Sequence, residues 1–313
     1  MEYGGTALPP LPPLNYDSPL ALRKFLAERG LGAQKKYGQN FLINRDMRNR
    51  LLDALEIGEG DRVWEIGPGL GAMTAGLLER GALVTAFEID RGFIALLEDF
   101  FGANPGFTLV AGNVLRTWPQ AAAGEYLLGN LPYNIAALLL GDLIEGKRFF
   151  KRMVVTVQKE VARRICAPPG SRDYSSLSAL CASAYRAYPL RSIPGSCFYP
   201  EPRVDSQGVR LDRLAGPVSG GLPGYFVPLI RRLFASRRKM VKNNLRDFIL
   251  SLPAWNGGEQ GAQELSAGLL EKAGIPPEER VERLAWEHFI ALARLLAEIT
   301  PPLGEEEDTH VHP

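Results

Sequence analysis

A short apolar strand that runs straight into a glycine-rich turn constrains this chain more than any other feature. Val63-Trp64-Glu65-Ile66 has the length and composition of a buried strand, Gly67-Pro68-Gly69-Leu70-Gly71 follows directly, and Ala72 to Arg80 then takes helical spacing. Glycines let a backbone approach a ligand closely, and the N-terminus of the next helix offers free N–H groups there. A second strand, Leu83-Val84-Thr85-Ala86-Phe87, ends at Glu88, placed to accept hydrogen bonds from the two hydroxyls of a ribose. Strands and helices continue to alternate, with further strands expected near Phe107–Val110, Tyr126–Leu128, Met153–Val157, Tyr185–Arg191 and Gln207–Leu211, as a doubly wound α/β sheet requires. The ligand stays open at this point. Gly67-x-Gly69-x-x-Ala72 with an acid about twenty residues later also fits the dinucleotide fingerprint of nicotinamide and flavin enzymes.

The discriminating stretch is Asn130-Leu131-Pro132-Tyr133. An exocyclic amine on a base such as adenine is a poor nucleophile, because its lone pair is delocalised into the ring. The Asn130 side-chain oxygen and the Leu131 carbonyl can accept hydrogen bonds from such an amine and aim it at an electrophile. Pro132 holds the turn without adding a donor, and Tyr133 offers a ring face for stacking, worth about 1–3 kcal/mol in comparable contacts. The bland alternative is a strand-to-helix turn with a proline in the first helical turn. A dehydrogenase needs a catalytic His or a Lys–Tyr pair, yet the histidines are His288, in a helical pattern, and His310 and His312 in the tail. None of them has a catalytic setting.

With these motifs in view, the chain resembles the small-subunit ribosomal RNA adenine dimethyltransferases of the KsgA type, from about Lys35 to the last helices. Tyr37-Gly38-Gln39-Asn40-Phe41-Leu42 is similar to the family's N-terminal motif, whose Asn and Leu contact S-adenosylmethionine. Glu65 to Gly71 resembles its cofactor loop, Glu88-Ile89-Asp90 its ribose-binding acid, and Asn130 to Ile135 its catalytic motif, with Ala136 where Ser is common. Gln158-Lys159-Glu160-Val161-Ala162, Phe198-Tyr199-Pro200-Glu201-Pro202-Arg203-Val204-Asp205-Ser206 and Phe234-Ala235-Ser236-Arg237-Arg238-Lys239 match later motifs in the right order.

The resemblance implies a Rossmann-like S-adenosylmethionine-dependent methyltransferase core, a mostly parallel seven-stranded sheet with an antiparallel edge hairpin, and a smaller C-terminal α-helical domain. It implies N6-dimethylation of two adjacent adenosines near the 3′ end of small-subunit rRNA, on free RNA or on the assembling small ribosomal subunit. Asn40, Leu42, Gly67, Gly69, Gly71, Glu88, Ile89, Asn113 and Asn130 are then the expected cofactor residues. Asn130, Leu131, Pro132, Tyr133 and Phe198 are the expected catalytic ones, Phe198 closing the second face of the base. At Asn113 the family usually has Asp, which accepts a bond from the cofactor's adenine amine; a neutral acceptor there predicts binding weaker by roughly 1 kcal/mol. Two other readings stay open: an Erm-type methyltransferase of large-subunit rRNA, which the Arg-Arg-Lys segment and long helical C-terminus fit less well, and a non-catalytic ribosome-assembly factor. The dinucleotide oxidoreductase fits least.

Composition bears on organisation and partners. With 313 residues, 46% of them hydrophobic, the chain can bury two cores. The expected boundaries are an N-terminal extension over 1–36, partly disordered with polyproline from Leu8 to Pro13, the cofactor-binding domain over 37–214, and a helical RNA-binding domain with an acidic tail over 215–313. Within the extension, Ser18-Pro19 should start a helix running to about Arg29, with Leu20, Leu22, Phe25 and Leu26 on its apolar side. Glycine-rich or proline-containing linkers are expected near Asn256–Gly261 and Gly274–Pro277. No apolar run is long enough for a membrane span, and no signal-like start is seen, which points to the cytoplasm. Cys166, Cys181 and Cys197 have no metal-ligand spacing and are read as reduced; no metal is expected. The net charge of +1 hides an asymmetry: Arg231, Arg232, Arg237, Arg238, Lys239, Lys242 and Arg246 stand in a stretch without an acid, while Glu305, Glu306, Glu307 and Asp308 follow in the tail. A second basic set comprises Arg23, Lys24, Arg29, Lys35, Lys36, Arg45, Arg48 and Arg50. Such clusters fit a phosphate backbone or, more plainly, a solvated helix face. The protein is expected to act as a monomer.

Overall fold

The structure, a computed structural model, describes residues 14–32, 39–131, 135–215 and 222–299. Outside them fall the stretch from Leu8 to Pro13, Lys35, Lys36, Tyr37 and Gly38 of the first motif region, Pro132 and Tyr133, and the acidic tail. Helix α1 (Pro19–Glu28) starts where a cap and a helix-compatible proline coincide, for the Ser18 hydroxyl accepts the Ala21 N–H at 3.2 Å. Leu22 and Leu26 are buried, but Leu20 is 77% exposed, contrary to expectation. It lies two residues from Leu22, about 200° away around a helix, and so misses the stripe that Leu22, Phe25 and Leu26 share.

The chain continues through β1 (Phe41–Leu42), α2 (Arg45–Leu55), β2 (Arg62–Ile66), α3 (Ala72–Glu79), β3 (Leu83–Glu88), α4 (Arg91–Phe101), β4 (Phe107–Ala111), α5 (Val114–Thr117), β5 (Tyr126–Asn130), α6 (Ala136–Glu145), β6 (Arg152–Gln158), α7 (Lys159–Ile165), α8 (Ser176–Ala184), β7 (Tyr185–Ile193), β8 (Phe198–Tyr199) and β9 (Ser206–Arg213). Seven strands form one sheet in the order β4-β3-β2-β5-β6-β9-β7. The pairs from β4 to β6 are parallel, and β9 is antiparallel to β6. Parallel strands are covered on both faces and read as continuous apolar runs, which is why Val63, Trp64, Ile66, Leu127 and Leu128 are all buried. Trp64 packs against Phe87 and Phe150 with ring centroids 4.8 and 5.2 Å away, and its indole N–H donates to the Ala122 carbonyl. The edge strand β7 and its neighbour β9 are not joined by a tight turn. The segment between them contains β8, which leaves the sheet and pairs antiparallel with β1, Phe41 opposite Tyr199 and Leu42 opposite Phe198.

The described residues fall into two compact units. The first takes the chain up to Asp142 with Phe149–Arg163 and Arg186–Arg213; the second takes Leu143–Arg148, Arg164–Tyr185 and the chain from Leu214 onward. The second unit contains α8 together with α9 (Phe226–Phe234), α10 (Val241–Leu250), α11 (Gly258–Lys272) and α12 (Trp286–Ile299). Its core includes Leu229, Ile230 and Leu233 of α9 and an aromatic chain in which Phe234 meets Tyr174 at 5.5 Å and Phe289 at 5.7 Å. The Tyr174 hydroxyl donates to the Leu284 carbonyl at 2.8 Å. The glycine-rich stretch expected to be a linker at Asn256–Gly261 is largely the first turn of α11. Its glycines make room for Trp255, whose ring would meet a Cβ at Gly257 at 2.5 Å and whose indole N–H donates to the Gly258 carbonyl. Among the described residues no helix is long and apolar enough to cross a membrane.

Candidate active site

In an open α/β sheet a crevice forms at the carboxyl ends of the strands where the strand order reverses. Here the reversal falls between β2 and β5, and a cavity of about 260 Å³ lies there. It is lined by the residues that follow β2, β3, β4 and β5, together with Asn40, Leu42 and Phe198. The turn after β2 reaches the cavity with Gly67 at φ +68° and Gly69 at φ +56°. A Cβ at Gly69 would stand 3.0 Å from the Phe41 ring, so backbone strain and crowding both require glycine. Gly71 has another task. It does not line the cavity; it precedes α3 at φ +81°, where a Cβ would meet the buried Phe101 ring at 2.5 Å.

Glu88, at the end of β3, lines the cavity and is already held by the backbone. Its Oε1 accepts the Ile89 and Asp90 N–H groups at 2.9 Å each, and its Oε2 accepts that of Gly69 at 3.1 Å. A carboxylate offers about four acceptor positions, so one remains for a ligand hydroxyl. Burial pushes the Glu88 pKa up, and the three N–H bonds oppose that shift. Ile89 is 40% exposed at the cavity, an apolar surface for a planar ring.

Asn113 follows β4, and its position sharpens the departure noted in the sequence. Its Oδ1 caps α5 by accepting the Leu115 N–H at 3.1 Å. An amide has a single oxygen, so one lone pair is left as acceptor while Nδ2 can only donate. An aspartate caps with one oxygen and keeps the other whole.

At the end of β5 the Asn130 Nδ2 donates to the Asn40 main-chain carbonyl at 2.8 Å, and the Leu131 N–H donates to the Thr156 carbonyl at 3.0 Å, extending the β5–β6 ladder. Pro132 and Tyr133 lie outside the described residues. Phe198 is buried in the cavity wall, directly opposite Leu42 in the β1–β8 pair. Among the cavity residues not expected as site residues are Glu65 and Tyr16. Glu65 is 3% exposed and accepts the Thr74 hydroxyl at 2.7 Å; an acid inside an apolar strand was the available signal. Tyr16, whose hydroxyl donates to the Leu70 carbonyl at 3.1 Å, sits in a stretch read as extension and gave none.

The basic residues belong elsewhere. Arg231, Arg232, Arg237, Arg238, Lys239 and Lys242 all lie in the second unit, where folding pairs four of them with acids. Arg231 pairs with Glu145 at 3.0 Å, Lys239 with Asp247 at 3.0 Å and Lys242 with Glu278 at 3.3 Å. Arg237 donates to the carbonyls of Tyr174 and Arg172 at 2.9 and 3.1 Å and reaches Glu282. Arg232 and Arg238 are exposed, with no ion pair or hydrogen bond among the described residues. The earlier basic set is similarly compensated: Arg45 and Arg48 share Asp17, Arg48 also donates to the Leu42 carbonyl, and Arg29 pairs with Asp99.

Comparison with known proteins agrees with this geometry. The fold is similar to a dimethyladenosine transferase from Plasmodium falciparum, with a TM-score of 0.69 at 22% identity over 82% of this chain and 96% of that one. It is also similar to the 23S rRNA methyltransferase ErmE, with a TM-score of 0.59 at 23% identity over 82% of this chain and all of that one. The class defined is the Rossmann-like methyltransferase fold with a helical second part. In sequence, the family model for ribosomal RNA adenine dimethylase matches residues 30–252. A ribosomal RNA small subunit methyltransferase A from Treponema pallidum is 43% identical over 90% of this chain and 97% of its own length, and one from Gloeobacter violaceus is 38% identical over 86% and 96%. The chain belongs to the ribosomal RNA adenine dimethylase family.

Proposed function

We propose that this protein transfers methyl groups from S-adenosylmethionine to the N6 atoms of two adjacent adenosines near the 3′ end of small-subunit rRNA, dimethylating each, in the cytoplasm and as a monomer. The observation that carries the reading is the Asn130 amide at the end of β5, its nitrogen held by the Asn40 carbonyl and its oxygen left as an acceptor beside the cavity. Relatives named for small-subunit rRNA methylation support the substrate.

The cavity fits the cofactor. The positive-φ glycines would cradle a close-lying ligand, Glu88 has an acceptor position for a ribose hydroxyl, Ile89 and Asn113 would flank an adenine, and Asn40 and Leu42 would close the side. When bound, the cofactor would supply an electrophilic methyl on a sulfonium, whose sulfur can keep the C–S bonding pair. Asn130 Oδ1 and the Leu131 carbonyl hold the adenosine amine, localising its lone pair toward that methyl. Tyr133 and Phe198 stack on the base, which leaves its own stack at a cost of a few kcal/mol. The amine proton is lost to solvent after transfer, so positioning and charge do most of the catalysis. Arg232 and Arg238, with no acidic partner among the described residues, are the members of the basic cluster best placed to hold phosphates.

The test is incubation with labelled S-adenosylmethionine and, separately, unmethylated small subunits, unmethylated large subunits and free rRNA, followed by digestion to nucleosides. Dimethyladenosine from small-subunit RNA is the expected product. Label confined to large-subunit RNA refutes the substrate, and absence of label despite cofactor binding refutes the activity.

A further inference from the structure

The run Met153-Val154-Val155-Thr156-Val157 of β6 is apolar but for one hydroxyl. Thr156 is 2% exposed and lines the cavity. Of the two side-chain hydroxyls on the described walls, that of Tyr16 donates to the Leu70 carbonyl. The Thr156 main-chain carbonyl accepts the Leu131 N–H at 3.0 Å, whereas its hydroxyl has no partner among the described residues. Among those residues no fully buried side-chain polar atom lacks a partner, so the Thr156 oxygen is open to the cavity. Register gives its direction. Thr156 stands opposite Asn130 in the parallel β5–β6 pair, so the two side chains leave the same face of the sheet. Gly208, opposite Thr156 on β9, adds no side chain to cover it. A hydroxyl taken out of bulk water without a partner costs free energy that a valine of the same shape would not.

Strand order identifies the ligand this hydroxyl serves. Along the sheet the expected cofactor residues step from Asn113 after β4, through Glu88 on β3, to the glycine turn after β2. Asn130 on β5, the acceptor for the amine, comes next, and β6 lies one strand further, about 4.8 Å beyond it. Thr156 is therefore on the side of the amine away from the cofactor. We infer that Thr156 is a further substrate-binding residue, whose hydroxyl donates to a ring nitrogen beside the amine of the target adenosine. The inference rests on the methyl-transfer reading of the cavity. Adenine carries an acceptor nitrogen on either side of its amine, N1 on the Watson–Crick edge and N7 on the Hoogsteen edge. Asn130 Oδ1 and the Leu131 carbonyl hold the amine at a point, and stacking fixes the plane of the ring, which leaves the base free to swing in that plane about its amine. A third bond, from a side chain on the strand beside β5, stops the swing and keeps the amine in line with the methyl.

The test uses the full chain with Thr156→Val, which removes the hydroxyl and keeps the shape, and Thr156→Ser, which keeps the hydroxyl. Single-turnover transfer to unmethylated small subunits at saturating S-adenosylmethionine should fall at least about tenfold in the valine variant and stay within about threefold in the serine one. Affinity of the valine variant for S-adenosylmethionine should stay within about twofold, and its melting temperature should be no lower than the parent's, since no bond within the fold is lost. Small subunits reconstituted with 1-deazaadenosine or 7-deazaadenosine at the target positions identify the nitrogen: with one analogue the parent should lose at least about fivefold more than Thr156→Val does. Transfer by the valine variant within about threefold of the parent overturns the inference. So does a lowered melting temperature, which marks a structural role, and so does cofactor affinity weakened by more than about fivefold, which moves the contact to the cofactor. Equal losses in parent and variant with both analogues overturn the ring-nitrogen contact. No transfer by the parent to any subunit refutes the methyl-transfer reading instead.

Discussion

The Asn130 side-chain amide donates to the main-chain carbonyl of Asn40, ninety positions earlier in the chain, at 2.8 Å. The bond fixes which way the amide points. An amide free to rotate presents either a donor or an acceptor, and only the acceptor can localise the lone pair of an amine. The first motif thus sets the orientation of a side chain in the fourth.

Removing that side chain should separate catalysis from binding. Asn130→Ala is expected to lower methyl transfer at least about a hundredfold while leaving cofactor affinity within about threefold. Asn130→Asp keeps an acceptor for the amine but turns an oxygen toward the Asn40 carbonyl, and the lost bond should lower stability by about 1–3 kcal/mol. Thermal unfolding of the two variants, set beside single-turnover transfer, checks both effects; an Asp variant as stable as the parent removes the orienting role of Asn40.

Asn113→Asp should bind S-adenosylmethionine more tightly, by about 1 kcal/mol or roughly fivefold. The gain comes from a second, charged oxygen that the Leu115 cap does not occupy. Equilibrium dialysis with labelled cofactor measures it, and unchanged or weaker affinity contradicts the account.

The glycines give a contrast in sign. Gly71→Ala puts a methyl 2.5 Å from the Phe101 ring at a φ of +81° and should cost about 2–4 kcal/mol. Gly268→Ala, on α11 with open space around it, should stabilise the protein by about 0.5–1 kcal/mol. Denaturant unfolding of both variants shows whether crowding or glycine content as such decides.

Glu65 also predicts how the empty protein responds to pH. Its pKa is raised from 4.5 to about 8 on folding, so between those values the folded state binds more protons than the unfolded one. Stability from this group is therefore full below the unfolded value and falls as pH rises toward about 8, by at most about 1.4 kcal/mol per unit. Melting temperatures of the parent and of Glu65→Gln, measured from pH 5 to pH 9 (roughly the window that linkage defines), should converge at the acid end and favour the variant at the alkaline end. Parallel curves contradict the shift.

Among the arginines of the second unit, Arg237→Ala should lower the melting temperature, because it releases the carbonyls of Tyr174 and Arg172. Arg232→Ala and Arg238→Ala should leave it unchanged, yet each should weaken RNA binding and reduce the salt dependence of log K by about one. Filter binding across a salt series resolves the two classes.

The strands and the glycine turn were legible because their periodicity and φ requirements are local. Glu88 and Asn130 were legible because each ends a strand at the place where an α/β sheet opens. Three things were not. Glu145, Glu278 and Glu282 lie far in sequence from the cations they compensate, so a stretch that reads as uniformly basic is mostly paired once folded. The β1–β8 pair is too short to carry a pattern, and only tertiary pairing shows that Leu42 and Phe198 stand opposite each other. Leu20 shows that an apolar residue near an apolar stripe still falls off it when the spacing is wrong.

The second unit begins well before the chain leaves the sheet. Helix α8, with Leu177, Ala179, Leu180 and Cys181 buried, belongs to it and lies between β6 and β7 in sequence. A gene cut after β9 would therefore leave α8 behind with its buried face uncovered, and a transplant of the last hundred or so residues would arrive without one of its own helices. A cut at that seam would thus divide the second unit rather than separate the two.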